Sequence, residues 1–80
     1  MPRYCFRVQK DGAHPEASEA DLPDLVAAQR EAVVFLAEQM KDHPGDLWKD
    51  EEWRVEVTDG SGMILFRVYS AAVKAAAIGG

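Results

Sequence analysis

Cys5, His14, His43 and several clusters of carboxylates are the side chains of this 80-residue chain that could do chemistry. Cys5 stands between Arg3 and Arg7, and in an extended strand the three share a face, where neighbouring positive charge favours a reactive thiolate. A nucleophile also needs a base or an oxyanion site, and no histidine occupies a matching position. A semi-exposed structural cysteine is the better reading. His14 and His43 fall in two separate loops, near Glu16 and Asp42, without a third ligand at a metal-binding spacing. The run Asp46, Asp50, Glu51, Glu52 lacks the glycine and closing glutamate of a calcium loop. Gly60-Ser61-Gly62 has neither the lysine nor the following helix of a phosphate loop, so it reads as a turn. These residues predict no catalysis, no metal and no cofactor.

The acids of ADLPDL (residues 20–25) belong to helix punctuation. Pro23 disfavours helical geometry at Leu22, which argues against Asp21 as the cap. Asp24 can instead accept from the free amides of Val26 or Ala27. From Leu25 to about Lys41, the residues Leu25, Ala28, Ala32, Leu36 and Met40 recur at spacings of three and four, the apolar stripe of a helix. Arg30, Glu31, Glu38 and Lys41 take the opposite side, together with one exposed Val34. DHPGD (residues 42–46) ends the helix.

Three strands surround that helix. RYCFRVQ (residues 3–9) alternates Tyr4, Phe6 and Val8 with Arg3, Cys5, Arg7 and Gln9, and Asp11-Gly12 ends it. The following AHPEASEAD reads as an exposed loop. EWRVEVT (residues 52–58) sets Trp53, Val55 and Val57 against Arg54, Glu56 and Thr58. After the turn, Ile64, Phe66 and Val68 oppose Met63, Leu65, Arg67 and Tyr69. The expected fold is a two-layer α+β domain in the order β-α-β-β, one amphipathic helix on a three-stranded sheet. A parallel first pair would use the helix as its crossover. Strand order is not readable. The alanine-rich tail suggests a short C-terminal helix that frays from about residue 75, within one domain spanning residues 1–80.

Eighty residues bury a thin core, and a lone cysteine cannot staple it, so self-association as a homodimer is the expected support. No signal-like segment opens the chain and no apolar run reaches membrane length, which points to the cytoplasm and away from the membrane. The net charge of −5 disfavours nucleic acid as a partner.

One arrangement stands out. If the strand parities hold, Arg3, Arg7, Arg54 and Arg67, four of the five arginines, project from the sheet face away from the helix. The only acid expected there is Glu56. Met63, Leu65 and Tyr69 share the face, and arginine among apolar groups is the composition of interfaces. Cross-strand pairing of Glu56 with an arginine on a merely solvated face is an equal alternative. The candidate interaction residues are Arg7, Arg54, Leu65, Arg67 and Tyr69, and an acidic protein partner or a second copy suits them. A nucleic-acid-associated regulator and a small-anion sensor would use the same arginines.

The opening MPRYCFRV, Asp11-Gly12, ADLPDL, AAQREA, EWRVEVTDGSG and ILFRV together resemble a family of small uncharacterised proteins of soil and plant-associated alphaproteobacteria. Their pattern runs approximately M-P-R-Y-F-F-x-V, D-G, L-P-D-L-x-A-A-R-x-E-A, F-E-V-T-D-x-x-G and a final strand. Cys5 stands where that pattern has an aromatic, and Gln29 where it has arginine, so a role of either family residue does not carry over. The resemblance implies an intact domain of uncharacterised function and supplies no activity.

Overall fold

The computed structural model describes residues 2–10 and 16–75. Four strands and two helices follow one another as β1 (Arg3–Lys10), β2 (Glu16–Asp21), α1 (Leu25–Asp42), α2 (Pro44–Asp50), β3 (Glu52–Asp59) and β4 (Ile64–Ala71). The strands form one sheet in the order β2-β1-β3-β4, antiparallel throughout. The α+β class stands, but the sheet has four strands rather than three; β1 and β3 pair antiparallel, and the helices instead carry the chain from β2 to β3, which run parallel on either side of β1.

The central strands are the ones whose sequence alternates. Tyr4, Phe6 and Val8 of β1 and Trp53, Val55 and Val57 of β3 are buried against Ala28, Ala32 and Leu36 of α1. The two alanines let the helix backbone approach the sheet, and Phe35 meets Phe6 edge to face, ring centroids 6.5 Å apart. Phe66 and Val68 of β4 close the far side of this core. Asp24 is the N-cap of α1 as its position predicts, its carboxylate accepting from the Ala27 amide at 2.9 Å. Leu25, assigned to the buried stripe by its spacing, lies half in water. Near the other end of the helix, one turn before Asp42, the polar Gln39 is buried.

β2 arises from the segment read as a loop. Glu, Ala, Ser and Asp are poor strand formers, and EASEAD becomes a strand through its partners. It pairs with β1 in a register running from Arg3 opposite Asp21 to Val8 opposite Glu16. On the helix side, the Gln39 amide donates to Glu16 at 2.7 Å and the Lys10 ammonium donates to Gln39 at 3.0 Å. That ammonium also lies 4.6 Å from the centre of the Trp53 ring. One buried glutamine thus joins β1, β2 and α1.

α2 is the second element outside the sequence reading. Pro44 ends α1 and also occupies the first turn of α2, where its missing N–H costs nothing. Glu51 closes α2 at a positive φ of 72°, in the left-handed region that side chains rarely adopt. Ser70 and Ala71 complete β4, and Ala72–Ala75 form no helix; the remainder of the expected C-terminal helix lies outside the described residues.

Candidate functional site

The sheet face away from the helices is open, and the register fixes its layout. Across β2, β1, β3 and β4, one row reads Glu19, Cys5, Thr58, Ile64, and the next reads Ala17, Arg7, Glu56, Arg67. A third row holds Gln9, Arg54 and Tyr69, and Asp21 flanks Arg3 at the opposite end. Arg3, Arg7, Arg54 and Arg67 therefore do share this face.

They are not alone there. β2 brings Glu19 and Asp21 alongside, and alternation in β3 adds Glu52 to Glu56, so among the described residues four acids balance four arginines and the face expected to be basic is neutral. The charges are unevenly settled. Arg3 donates to Asp21 at 3.1 Å and to Glu19 at 3.2 Å. The hydrogen bond from Arg3 and its positive charge hold the Asp21 carboxyl below its usual range, and Asp21 in turn raises the guanidinium. Arg67 donates to Glu56 at 3.1 Å, the cross-strand pairing that favours a solvated face. Arg54 meets only the neutral side-chain oxygen of Gln9, and Arg7 makes no ion pair, among the described residues.

The apolar residues lie toward β4. Met63 is 65% exposed and Tyr69 57%, with Ile64 and Leu65 also open to solvent. Ile64 corrects the expected parity. The register shifts between Val57 and Thr58, so that Phe66 faces Val57 while Ile64 faces Thr58. This β-bulge carries Ile64 to the open face, where it walls a shallow depression of about 290 Å³ with Cys5, Arg7, Glu19, Glu56 and Thr58. Leu65 has no partner in the β3–β4 register.

Of the five sequence-predicted residues, Arg7, Arg54, Arg67 and Tyr69 fall in two adjacent rows, and Leu65 sits at the bulge on the edge. The sequence reading missed Glu19, Asp21, Glu52 and Ile64. A signal for the acids was present: folding the chain back about Asp11-Gly12 places Asp21 beside Arg3 and Glu19 beside Cys5. No pattern in MILFRVY marks the bulge.

The other chemical candidates resolve into structure. The Cys5 thiol donates to Glu19 at 3.7 Å, and Arg3, one of the two cations flanking it, is itself held by carboxylates. His43 caps α1 with its backbone and lies 3.8 Å from Asp46, while His14 falls outside the described residues. Among the described residues, no three His, Cys, Asp or Glu side chains gather as metal ligands. In the β3–β4 turn, Asp59 accepts from the Ser61 hydroxyl at 2.7 Å, the Ser61 amide at 2.9 Å and the Met63 amide at 3.0 Å. These bonds, the hydroxyl's first, hold the Asp59 carboxyl below its usual range. They also consume the amides that a phosphate would need. Gly62 takes φ 92° to close this turn. Among the described residues, no helix is long and apolar enough to cross a membrane.

Fold and face define a small α+β domain with a helix-covered core and an open, charge-balanced sheet face. A domain of unknown function, DUF6894, matches residues 3–77, and the chain belongs to that family. No curated protein and no solved structure matches it.

Proposed function

We propose that this domain is a small cytoplasmic interaction module that binds an acidic protein segment through the β4 side of its open sheet face. Arg7, Arg54, Leu65, Arg67 and Tyr69 form the contact surface, with Ile64 and Met63 at its margin. The observation that carries this reading is the asymmetry of the face. On the β2 side, Arg3 is satisfied within the chain by Glu19 and Asp21. Toward β4, Arg54 of β3 lacks an acidic partner among the described residues and stands beside exposed Tyr69, with Ile64 and Met63 exposed further along; Arg7, on β1 in the next row, makes no ion pair either. Unpaired arginines next to apolar groups suit a ligand that brings its own carboxylates and an apolar anchor. The reading includes no catalysis and no cofactor. Balanced charge weighs against nucleic acid, which needs net positive potential along its path.

The test is affinity capture from cytoplasmic extract on immobilised wild type and on an Arg54→Glu/Tyr69→Ala variant, each checked for native circular dichroism. The expected result is an acidic protein retained by the wild type, released by salt, and reduced at least about tenfold on the variant, in line with loss of an aromatic and an arginine anchor. Equal retention on both surfaces would refute the assignment.

A further inference from the structure

The solvent side of α1 carries three valines that the described residues leave uncovered. Val26, Val33 and Val34 are 54, 55 and 48% exposed, and with Gln29 and Arg30 they line a single apolar strip. At 3.6 residues per turn, Ala37 and Lys41 extend the strip, whereas Ala28, Ala32 and Leu36 face the sheet. Arg30 and Lys41 lie within the strip and Glu38 borders it.

We propose that this strip is a self-association surface on which α1 of a second copy packs antiparallel. The charges select both occupant and direction. A parallel pair would stack Arg30 on Arg30 and Lys41 on Lys41. An antiparallel pair about a two-fold axis between Val33 and Val34 separates those like charges and opposes the two helix dipoles. Val33 then packs on Val34 of the partner subunit, and Ala37 leaves room for the Arg30 stem. Arg30 comes within one residue's rise, about 1.5 Å, of level with Glu38 of the partner subunit. The strip is therefore self-complementary, as a two-fold interface must be. One helix pair falls at the small end of specific interfaces, below about 1,200 Å² of total buried surface, so the dimer is weak and concentration-dependent. It lies on the opposite layer from the open sheet face, so a dimer presents two such faces outward and gains from a partner with two matching segments.

Sedimentation velocity on the full chain, from about ten micromolar to about one millimolar, tests the proposal in the range expected of a small interface. The mass is expected to rise toward two copies. Arg30→Glu and Glu38→Arg should each weaken association about tenfold, since a two-fold interface counts each pair twice. Combining them should restore it. Arg30 and Glu38 stand eight residues apart on their own helix and cannot meet there, so such rescue reports a contact between copies. Val33→Glu should abolish association while leaving the melting temperature near that of wild type. A monomer mass at every concentration overturns the proposal. So does a dimer that ignores these substitutions, or one that Tyr69→Ala abolishes instead.

Discussion

β2 and β4 are the two edges of one sheet, and they are attached by different physics. β4 brings Phe66 and Val68 to the core and would be recognised as a strand in isolation. β2 brings only Ala20 to the core and is fixed by polar bonds: Arg3 to Asp21 and Glu19 outside, Gln39 to Glu16 inside. The contrast extends to how each edge avoids pairing with other chains. β2 is blunted by acids, and β4 by a bulge. An edge can therefore be a strand because of what it contains or because of what lies beside it.

Three experiments break or sharpen that contrast. Trp53→Ala strikes the strand pair on which both edges rest. Trp53 is fully buried, donates its indole N–H to Asp50 at 2.7 Å and lies under the Lys10 ammonium. Its removal should cost about 3–5 kcal/mol, measured by urea denaturation, with amide protection in β2 and β4 falling together. Retention of full stability would mean that the core is not centred where the packing places it.

Gln39→Leu separates the edges. It leaves Glu16 and Lys10 without their shared partner and should cost about 1–3 kcal/mol. Hydrogen exchange should quicken at residues 16–21 and stay unchanged at residues 64–71. Equal quickening in both strands would show that the edges open as one unit.

The smallest effect is acid sensitivity. Asp21 and Asp59 both titrate below the ordinary carboxylate range in the folded chain. Their stabilisation is thus fully present above about pH 4, where unfolded aspartate titrates, and is lost as pH falls through the lowered folded values. Salt distinguishes the two. Screening weakens the ion pair of Asp21 with Arg3 but leaves the short hydrogen bonds of Asp59 to its own turn. Acid should therefore loosen β2 less in molar salt than in dilute buffer, while its effect on the β3–β4 turn stays the same. Amide chemical shifts followed through an acid titration read both sites.

The same contrast explains what the sequence discloses. Alternation in RYCFRVQ and EWRVEVT reports burial directly, so the core of Tyr4, Phe6, Val8, Trp53, Val55 and Val57 and the cap at Asp24 are legible. β2 is not, because nothing within EASEAD favours extension; its strand character depends on Arg3 and Gln39, remote in sequence. α2 escapes for a related reason: PGDLWKD is too short for a helical period and buries no residue fully. The candidate face is legible in its arginines and Tyr69, whose parity holds. It is not legible in Ile64, because a bulge shifts parity without a compositional mark, and Glu19 and Asp21 become legible there only once the chain is folded back about Asp11-Gly12.

The two tryptophans give the molecule an optical division of labour. Trp53 sits in a dry site between a carboxylate and an ammonium, while Trp48 on α2 is 54% exposed. Their emission should separate into a blue component that acrylamide barely quenches and a red component that it quenches freely. The blue component then reports the core without a label. A Trp48→Phe chain would isolate it, so that opening of the sheet could be timed in a stopped-flow cell on the otherwise native sequence.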